Sequence, residues 1–209
     1  CFSDELCLLP ENNQKAVRPM VLASDRERFY MIFSKILYQA GRYQNCLEYC
    51  RRGLDDIKKF NGGNRIWLVR RLALCLRQLG QGEQAVQTML EIARRKGDWF
   101  LWVELGELYQ QVGQEEKALF AWGHGFKNQG NNPYKAGFYG RLAQWLFERN
   151  LIPEAAMHLQ LAIAARKSQG WKIPAELQWL ASQPAMVLSP PDTSDPYEQC
   201  ACYWQNILT

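Results

Sequence analysis

The chain has 209 residues, of which 47% are apolar, and carries a formal net charge of +4. This length allows one repeat array or one to two compact domains, and the apolar content is enough for a core. No run reaches the roughly 18 uncharged apolar residues of a membrane span, and no signal peptide is visible at the N-terminus. We therefore expect neither a membrane partner nor secretion.

Cysteine usage points to a reducing compartment. Seven is an odd number of cysteines, and nothing in the sequence indicates a secreted disulfide framework. Cys46, Cys50 and Cys75 lie on apolar helical faces, where a free thiol behaves as a small hydrophobe. Cys200 and Cys202 form one close pair, whereas zinc requires about four ligands. We predict a cytoplasmic protein with no metal and no cofactor.

Breaker residues divide the chain into an arm, a helical domain and a tail. Residues 1–24 lack helical periodicity and are predicted to be an N-terminal arm. Residues 25–182 alternate helical periodicity with Gly, Asn and Pro breakers. Residues 183–209 read as a Pro- and Ser-rich linker followed by an aromatic C-terminal tail. The predicted helices span residues 26–41, 43–60, 65–79, 82–96, 99–112, 114–127, 133–149, 152–168 and 175–181.

One spacing recurs around four turn residues, which are Gly41, Gly80, Gly113 and Asn150. Large and small apolar residues lie at fixed distances before and after each of these turns, and the turns are 39, 33 and 37 residues apart. Helices approach closely only where one side chain is small. Asn is the best substitute for Gly at a left-handed turn position. Around Gly113 the pattern comprises Trp102, Leu105, Gly106, Tyr109, Ala118, Trp122 and Gly125.

This pattern resembles the tetratricopeptide repeat (TPR), whose period is about 34 residues. The resemblance covers roughly residues 26–170 and implies an all-α, right-handed α-solenoid of about four TPR-like antiparallel helix pairs. Residues 175–181 would form a short C-terminal capping helix, because a repeat array needs a terminal element with one polar face. Ile92 departs from the pattern, since a small residue is expected there. Members of the family are scaffolds that hold other macromolecules, so the resemblance implies a protein–protein interaction adaptor.

Enzyme chemistry finds no support in the sequence. There are two histidines, His124 and His158, and neither stands near a Cys at metal-ligand spacing. Phosphate-binding, dinucleotide-binding, nucleophile-elbow and zinc-protease motifs are missing. We predict that the protein is not an enzyme.

The resemblance also implies where a partner would bind. In a TPR-like array the first helix of each pair lines a concave groove, with its groove side pointing away from the packing residues. The residues predicted to face this groove are basic and aromatic in the first repeats and rich in amides in the later repeats. The predicted partner-binding residues are Arg28, Lys35, Tyr38, Trp67, Arg70, Arg77, Phe100, Glu107, Gln110 and Gln144.

Charge leaves a second interpretation open. Residues 1–96 contain 17 Lys and Arg against 10 Asp and Glu, whereas residues 97–209 contain 8 against 11. A basic first half can orient a nucleic acid or an acidic peptide, although basic side chains also simply solvate helices. The alternative function is therefore a nucleic-acid-associated accessory subunit. Its additional phosphate-binding candidates are Arg51, Arg52, Lys58, Lys59, Arg94 and Arg95.

The tail after residue 195 is too aromatic for a plain disordered end. Tyr197, Tyr203, Trp204, Ile207 and Leu208 are five large apolar side chains in a short segment. Clusters of this kind usually mark a contact. Three outcomes remain open: docking onto the chain's own repeats, docking onto a partner subunit, or a frayed terminus.

Overall fold

The chain folds into two compact units in this computed structural model, which describes residues 7–8, 21–187 and 195–209. Unit 1 comprises Cys1–Gly97 with Glu104–Ala118. Unit 2 comprises Asp98–Val103 with Leu119–Thr209.

The described residues form an almost entirely helical structure. All nine predicted helices are present, and the predicted all-α class with four TPR-like helix pairs is confirmed. Helices α10 and α11 lie in the segment that the sequence indicated to be linker and tail. The helices are α1 Asp25–Gln39, α2 Tyr43–Asp56, α3 Asn64–Gln78, α4 Gly82–Lys96, α5 Trp99–Gln111, α6 Glu115–Lys127, α7 Ala136–Glu148, α8 Ile152–Ser168, α9 Ala175–Ala181, α10 Pro184–Val187 and α11 Pro196–Leu208.

A minimal strand pairing precedes the first helix. Strand β1, Cys7–Leu8, pairs antiparallel with β2, Val21–Leu22, so that Cys7 faces Leu22. The sequence did not indicate this pairing. The rest of the predicted arm, residues 1–6 and 9–20, lies outside the described residues.

The four turn residues all adopt the left-handed conformation that the repeat spacing requires. Their φ angles are 70° at Gly41, 75° at Gly80, 74° at Gly113 and 59° at Asn150. In each case the residue that follows the turn residue donates its N–H to the carbonyl of the residue four positions before the turn residue, over 2.9–3.0 Å. This bond closes the helix end as a Schellman motif. The repeat register read from the sequence is therefore confirmed at all four turns.

Small residues allow the paired helices to touch. The residue five positions after each turn (Cys46, Ala85, Ala118 and Ala155) is fully buried. A Cβ atom built on Gly53 would lie 2.9 Å from both Leu68 and Tyr30. Trp102, expected to be a packing residue, is instead half-buried and stacks on His124 at 4.6 Å between ring centroids.

Substituting Ala118 with Trp is expected to destabilise the fold by about 1–3 kcal/mol, because a well-packed helix crossing cannot absorb the added volume. Thermal unfolding followed by circular dichroism tests this. Lys117→Trp is the matched control, since the neighbouring side chain is exposed. Equal melting temperatures for the two variants would mean that Ala118 does not lie at a helix crossing.

A buried carboxylate organises the long turn between α2 and α3 in unit 1. Glu27 of α1 is fully buried, and its carboxylate accepts hydrogen bonds from the Asn61 N–H at 3.0 Å and from Asn64 Nδ2 at 2.7 Å. Helix α2 ends at Asp56 rather than at Phe60, because Ile57 is extended and buried. The long connector that produces the 39-residue spacing is thus held in place by the Glu27 side chain of α1.

A buried lysine has the equivalent role in unit 2, where the spacing is 37 residues. Lys135 ends a 3-10 helix, Pro133–Lys135, and is fully buried. Its Nζ donates to the carbonyls of Phe126 at 2.7 Å and Gly130 at 2.9 Å, and also to that of Asn128. Burial lowers the pKa of Lys135 to about 8. These bonds satisfy carbonyls at the end of α6 that the helix leaves unpaired.

The C-terminal tail docks onto its own chain as helix α11. Asp195 caps the helix by accepting from the Tyr197 N–H at 2.9 Å, and Pro196 occupies the first helical position. Trp204 is fully buried against α8, where its Nε1–H donates to His158 Nε2 at 2.8 Å. Tyr197 stacks on Phe126 at 5.1 Å. Of the three outcomes left open by the sequence, the structure shows docking onto the chain itself.

Candidate functional site

The predicted partner-binding residues are divided between the two units. Eight of the ten belong to unit 1 and stand on α1, α3 and the C-terminal part of α5. Phe100 and Gln144 belong to unit 2. Phe100 is half-buried with its ring edge against Trp99 at 6.1 Å, and Gln144 donates to Glu148 at 2.9 Å within α7.

Arg70 of α3 is held by a carboxylate of the next repeat. Its Nε donates to Glu104 Oε2 at 2.6 Å, and a second guanidinium nitrogen contacts the other Glu104 oxygen, which makes the pair bidentate. The guanidinium also lies 5.5 Å from the ring centroid of Trp67. The sequence pattern predicts that Arg70 is a cation available to a partner. In the structure its guanidinium is paired with Glu104, which offsets its charge.

A second ion pair joins two residues that the sequence placed in the groove. Arg77 Nη1 lies 3.4 Å from Glu107 Oε2, and both side chains are about one-quarter exposed. Partly buried pairs such as this one, and the bidentate Arg70–Glu104 pair still more, hold side chains more firmly than isolated surface pairs do. The face of unit 1 formed by α3 and α5 is therefore an ordered array of alternating charge rather than a basic strip.

The remaining site residues of unit 1 are more exposed. Trp67 is 42% exposed, and Lys35 and Gln110 are also exposed. Tyr38 packs edge-on against Tyr43 at 5.5 Å, and burial raises the pKa of its hydroxyl. Arg28 forms an exposed ion pair with Asp25 on α1.

Sequence reasoning missed the residue nine positions before each turn. Arg71 and Glu104 both occupy this position, and both link neighbouring repeats. Arg71 of α3 donates to Ser34 Oγ at 2.6 Å and to the Met31 carbonyl at 3.2 Å on α1. The sequence does contain a signal for these links. A charged residue recurs at this repeat position before three of the four turns, as Arg71, Glu104 and Arg141.

Three thiols of unit 1 lie together in the protein interior. Cys46, Cys50 and Cys75 are free and fully buried. Hydrogen bonding to Cys46, together with burial, raises the pKa of Cys50 and Cys75, which keeps these two thiols neutral. A neutral buried thiol is a poor nucleophile and a poor metal ligand. Within residues 7–8, 21–187 and 195–209, no three His, Cys, Asp or Glu side chains cluster to hold a metal ion.

These helix pairs, left-handed turns and small crossing residues define the class as TPR-like repeat proteins. The family described as "Domain of unknown function (DUF7017)" matches residues 66–201, more than half of the chain. The chain therefore belongs to the DUF7017 family.

Two solved structures share the fold over most of their length. BtubC (BKLC) from P. vanneervenii superposes with a TM-score of 0.61 at 14% identity, covering 86% of this chain and 78% of that chain. The TPR-like repeats of a putative kinesin light chain from Podosopora anserina superpose with a TM-score of 0.56 at 16% identity, covering 88% and 94%. At these identities the likeness establishes the fold. None of the curated proteins matches the chain in sequence.

Among the described helices, none is both long enough and apolar enough to cross a bilayer.

Proposed function

We propose that this protein is a non-enzymatic interaction scaffold that binds a segment of another protein. In unit 1 the binding surface is the α3–α5 face, defined by Trp67, Arg70, Arg77, Glu107 and Gln110. TPR-like folds generally present such helix faces to protein partners, and the ten residues predicted from the sequence remain the proposed binding set.

The observation that carries this proposal is Trp67 beside an ordered ion pair. Trp67 is 42% exposed, although burying a large aromatic ring away from water lowers the free energy. Arg70, which it contacts, is fixed by Glu104 and so loses little further freedom on binding. Exposed Trp and Arg side chains on a preorganised surface are the residues that dominate the energetics of protein interfaces.

The nucleic-acid alternative receives less support from the same geometry. Arg70 and Arg77 are two of its four groove cations, with Arg28 and Lys35, and each of these two lies beside a carboxylate. A phosphate would have to compete with Glu104 and Glu107 for these guanidinium groups. Cations that are already paired neutralise fewer phosphates, so fewer of the counterions condensed on the nucleic acid would be released.

Charge reversal at Arg70 and Arg77 is a poor test, because a new Glu there would face Glu104 or Glu107 and destabilise unit 1. Trp67→Ala is the better variant, because it removes an exposed ring. Gln87→Ala on α4 is the matched control, since Gln87 is exposed and lies outside the proposed binding set. Both variants are expected to keep the wild-type melting temperature.

The measurement is quantitative capture of partners from the native cell with the intact protein and both variants. A partner of the α3–α5 face should bind Trp67→Ala roughly 30-fold more weakly, as hot-spot truncation costs about 2 kcal/mol or more. It should bind Gln87→Ala normally. Equal capture by Trp67→Ala would place the interface elsewhere. Capture that nuclease abolishes and that falls steeply with salt would favour the nucleic-acid alternative.

A further inference from the structure

A cavity of about 650 Å³ opens in unit 2 between α7 and the segment that begins α9. This volume lies within the range of sites that enclose a small ligand or a bulky side chain. The cavity is mostly apolar, and its principal lining residues are Gly137, Gly140, Arg141, Arg166, Leu177 and Trp179.

Two glycines near the start of α7, Gly137 and Gly140, line this cavity. A Cβ atom on Gly140 would lie 3.0 Å from Leu177, whereas one on Gly137 would meet only the tip of Arg141 at 3.8 Å. Each glycine inside a helix costs about 0.5–1 kcal/mol relative to alanine. Close packing against Leu177 accounts for Gly140, whereas among the described residues no packing contact accounts for Gly137. Within the described part of the chain, the space above Gly137 therefore has room for a further side chain.

The charged groups around the cavity favour an anion. Arg141 and Arg166 line it together with one carboxylate, Glu176. Arg166 Nη1 donates to the Lys172 carbonyl at 3.2 Å, while its Nε is buried and has no hydrogen-bond partner in the described part of the chain. A buried guanidinium donor gains most from a carboxylate acceptor. Trp179 adds a half-exposed aromatic wall, 52% exposed, beside these cations.

We propose that this cavity binds an acidic peptide segment that presents one bulky aliphatic side chain. The aliphatic side chain fills the space above Gly137, beside Leu177, and a flanking carboxylate pairs with Arg141 and Arg166. The inference rests in part on the proposed scaffold function, because Gln144 of the proposed binding set also lines this cavity, and it goes beyond the α3–α5 face by assigning unit 2 its own ligand chemistry.

The test uses a fluorescein-labelled probe, Gly-Ser-Glu-Glu-Leu-Leu-Glu-Glu-Gly-Ser, and fluorescence polarisation with the full chain. Gly137→Leu fills the cavity at the second residue of α7, where a Cβ atom would meet only Arg141, so we expect an unchanged melting temperature and binding weakened by about tenfold or more. Ala164→Leu on α8 adds the same side chain at an exposed position away from the cavity and should bind the probe normally.

A second pair of variants tests the charge. Arg141→Gln should weaken binding of the probe by about tenfold, whereas Lys167→Gln removes an exposed cation outside the cavity and should change it little. Glu176→Gln should tighten binding, since it removes the one carboxylate that faces the ligand. A probe with Gln in place of every Glu should lose affinity, as should one with Gly in place of both Leu.

The proposal is overturned if the acidic leucine probe shows no binding at millimolar concentration. It is also overturned if Gly137→Leu binds as the intact protein does, or if Gly137→Leu and Ala164→Leu are equally weakened. Trp67→Ala should bind the probe normally, so the outcome is independent of the α3–α5 face.

Discussion

Replacing Trp204 with alanine should lower the free energy of unfolding by about 3–5 kcal/mol, the usual range for removing a buried aromatic side chain. Trp204 is fully buried and anchors α11 against α8. Its removal also leaves the Nε2 atom of His158 buried without a donor, which adds the cost of an unsatisfied polar group. Urea unfolding followed by circular dichroism measures the change.

Two further variants separate packing from hydrogen bonding at this position. Trp204→Phe keeps most of the ring but loses the N–H, so we expect about 1–3 kcal/mol from the unsatisfied His158 nitrogen. Asn206→Ala, on the exposed side of α11, should lie within about 0.5 kcal/mol of the unaltered chain. If Trp204→Ala unfolds at the same urea concentration as Asn206→Ala, α11 does not contribute to the folded state.

The second large effect is a loss of stability in acid through His158. The Nδ1 atom lies 2.8 Å from the Glu154 carbonyl, which can only accept, so Nδ1 carries the proton. Nε2 must then accept from Trp204, and only the neutral ring fits. Burial lowers the pKa of His158 to about 4.

The sign follows from proton binding. An unfolded histidine has a pKa near 6.5, so between about pH 4 and 6.5 the unfolded chain binds more protons at this residue. The stabilisation is complete above pH 6.5 and decreases as the pH falls through this window. The loss between pH 7 and pH 4 is on the order of 3 kcal/mol.

Urea midpoints from pH 4 to pH 7.5 should therefore show a slope in the unaltered chain that His158→Gln largely removes. Gln can still accept from Trp204 but does not titrate. His124→Gln is the comparison variant, because His124 is only half-buried, although burial lowers its pKa as well. An unchanged slope in His158→Gln would assign the acid sensitivity to other groups.

Local chemistry made most of the fold predictable. A left-handed turn admits few residues, so Gly41, Gly80, Gly113 and Asn150 could be recognised from their spacing alone. Helix α11 had readable signals in Asp195, which caps it, and in Pro196 at its start. The Pro- and Ser-rich stretch before them favoured a linker, and burial of the tail depends on a distant helix.

The candidate site was less predictable because its charges are set by tertiary contacts. Nothing local to Arg70 indicates that Glu104, 34 residues later, neutralises it. Lys135 presents the same difficulty, since a lysine in a sequence normally indicates a surface position. Its burial depends on three carbonyls that converge only after α6 has ended. The proposed binding residues therefore stay a prediction from register, with two of the cations reinterpreted.

The two buried charges also constrain how this array could be redesigned or could diverge. Removing about five residues of the 57–63 connector, Asn61 among them, would restore the TPR period of about 34 residues but would also remove the N–H that donates to Glu27 from 34 positions away. The carboxylate would then stay buried with fewer donors, which is more costly than the longer connector itself. The length of the 57–63 connector and the charge of Glu27 are thus structurally coupled, as are the length of the 128–134 connector and the charge of Lys135. A redesign toward the consensus repeat therefore has to change each connector and its buried charge together. A shortened connector requires an uncharged residue at position 27 or 135, respectively.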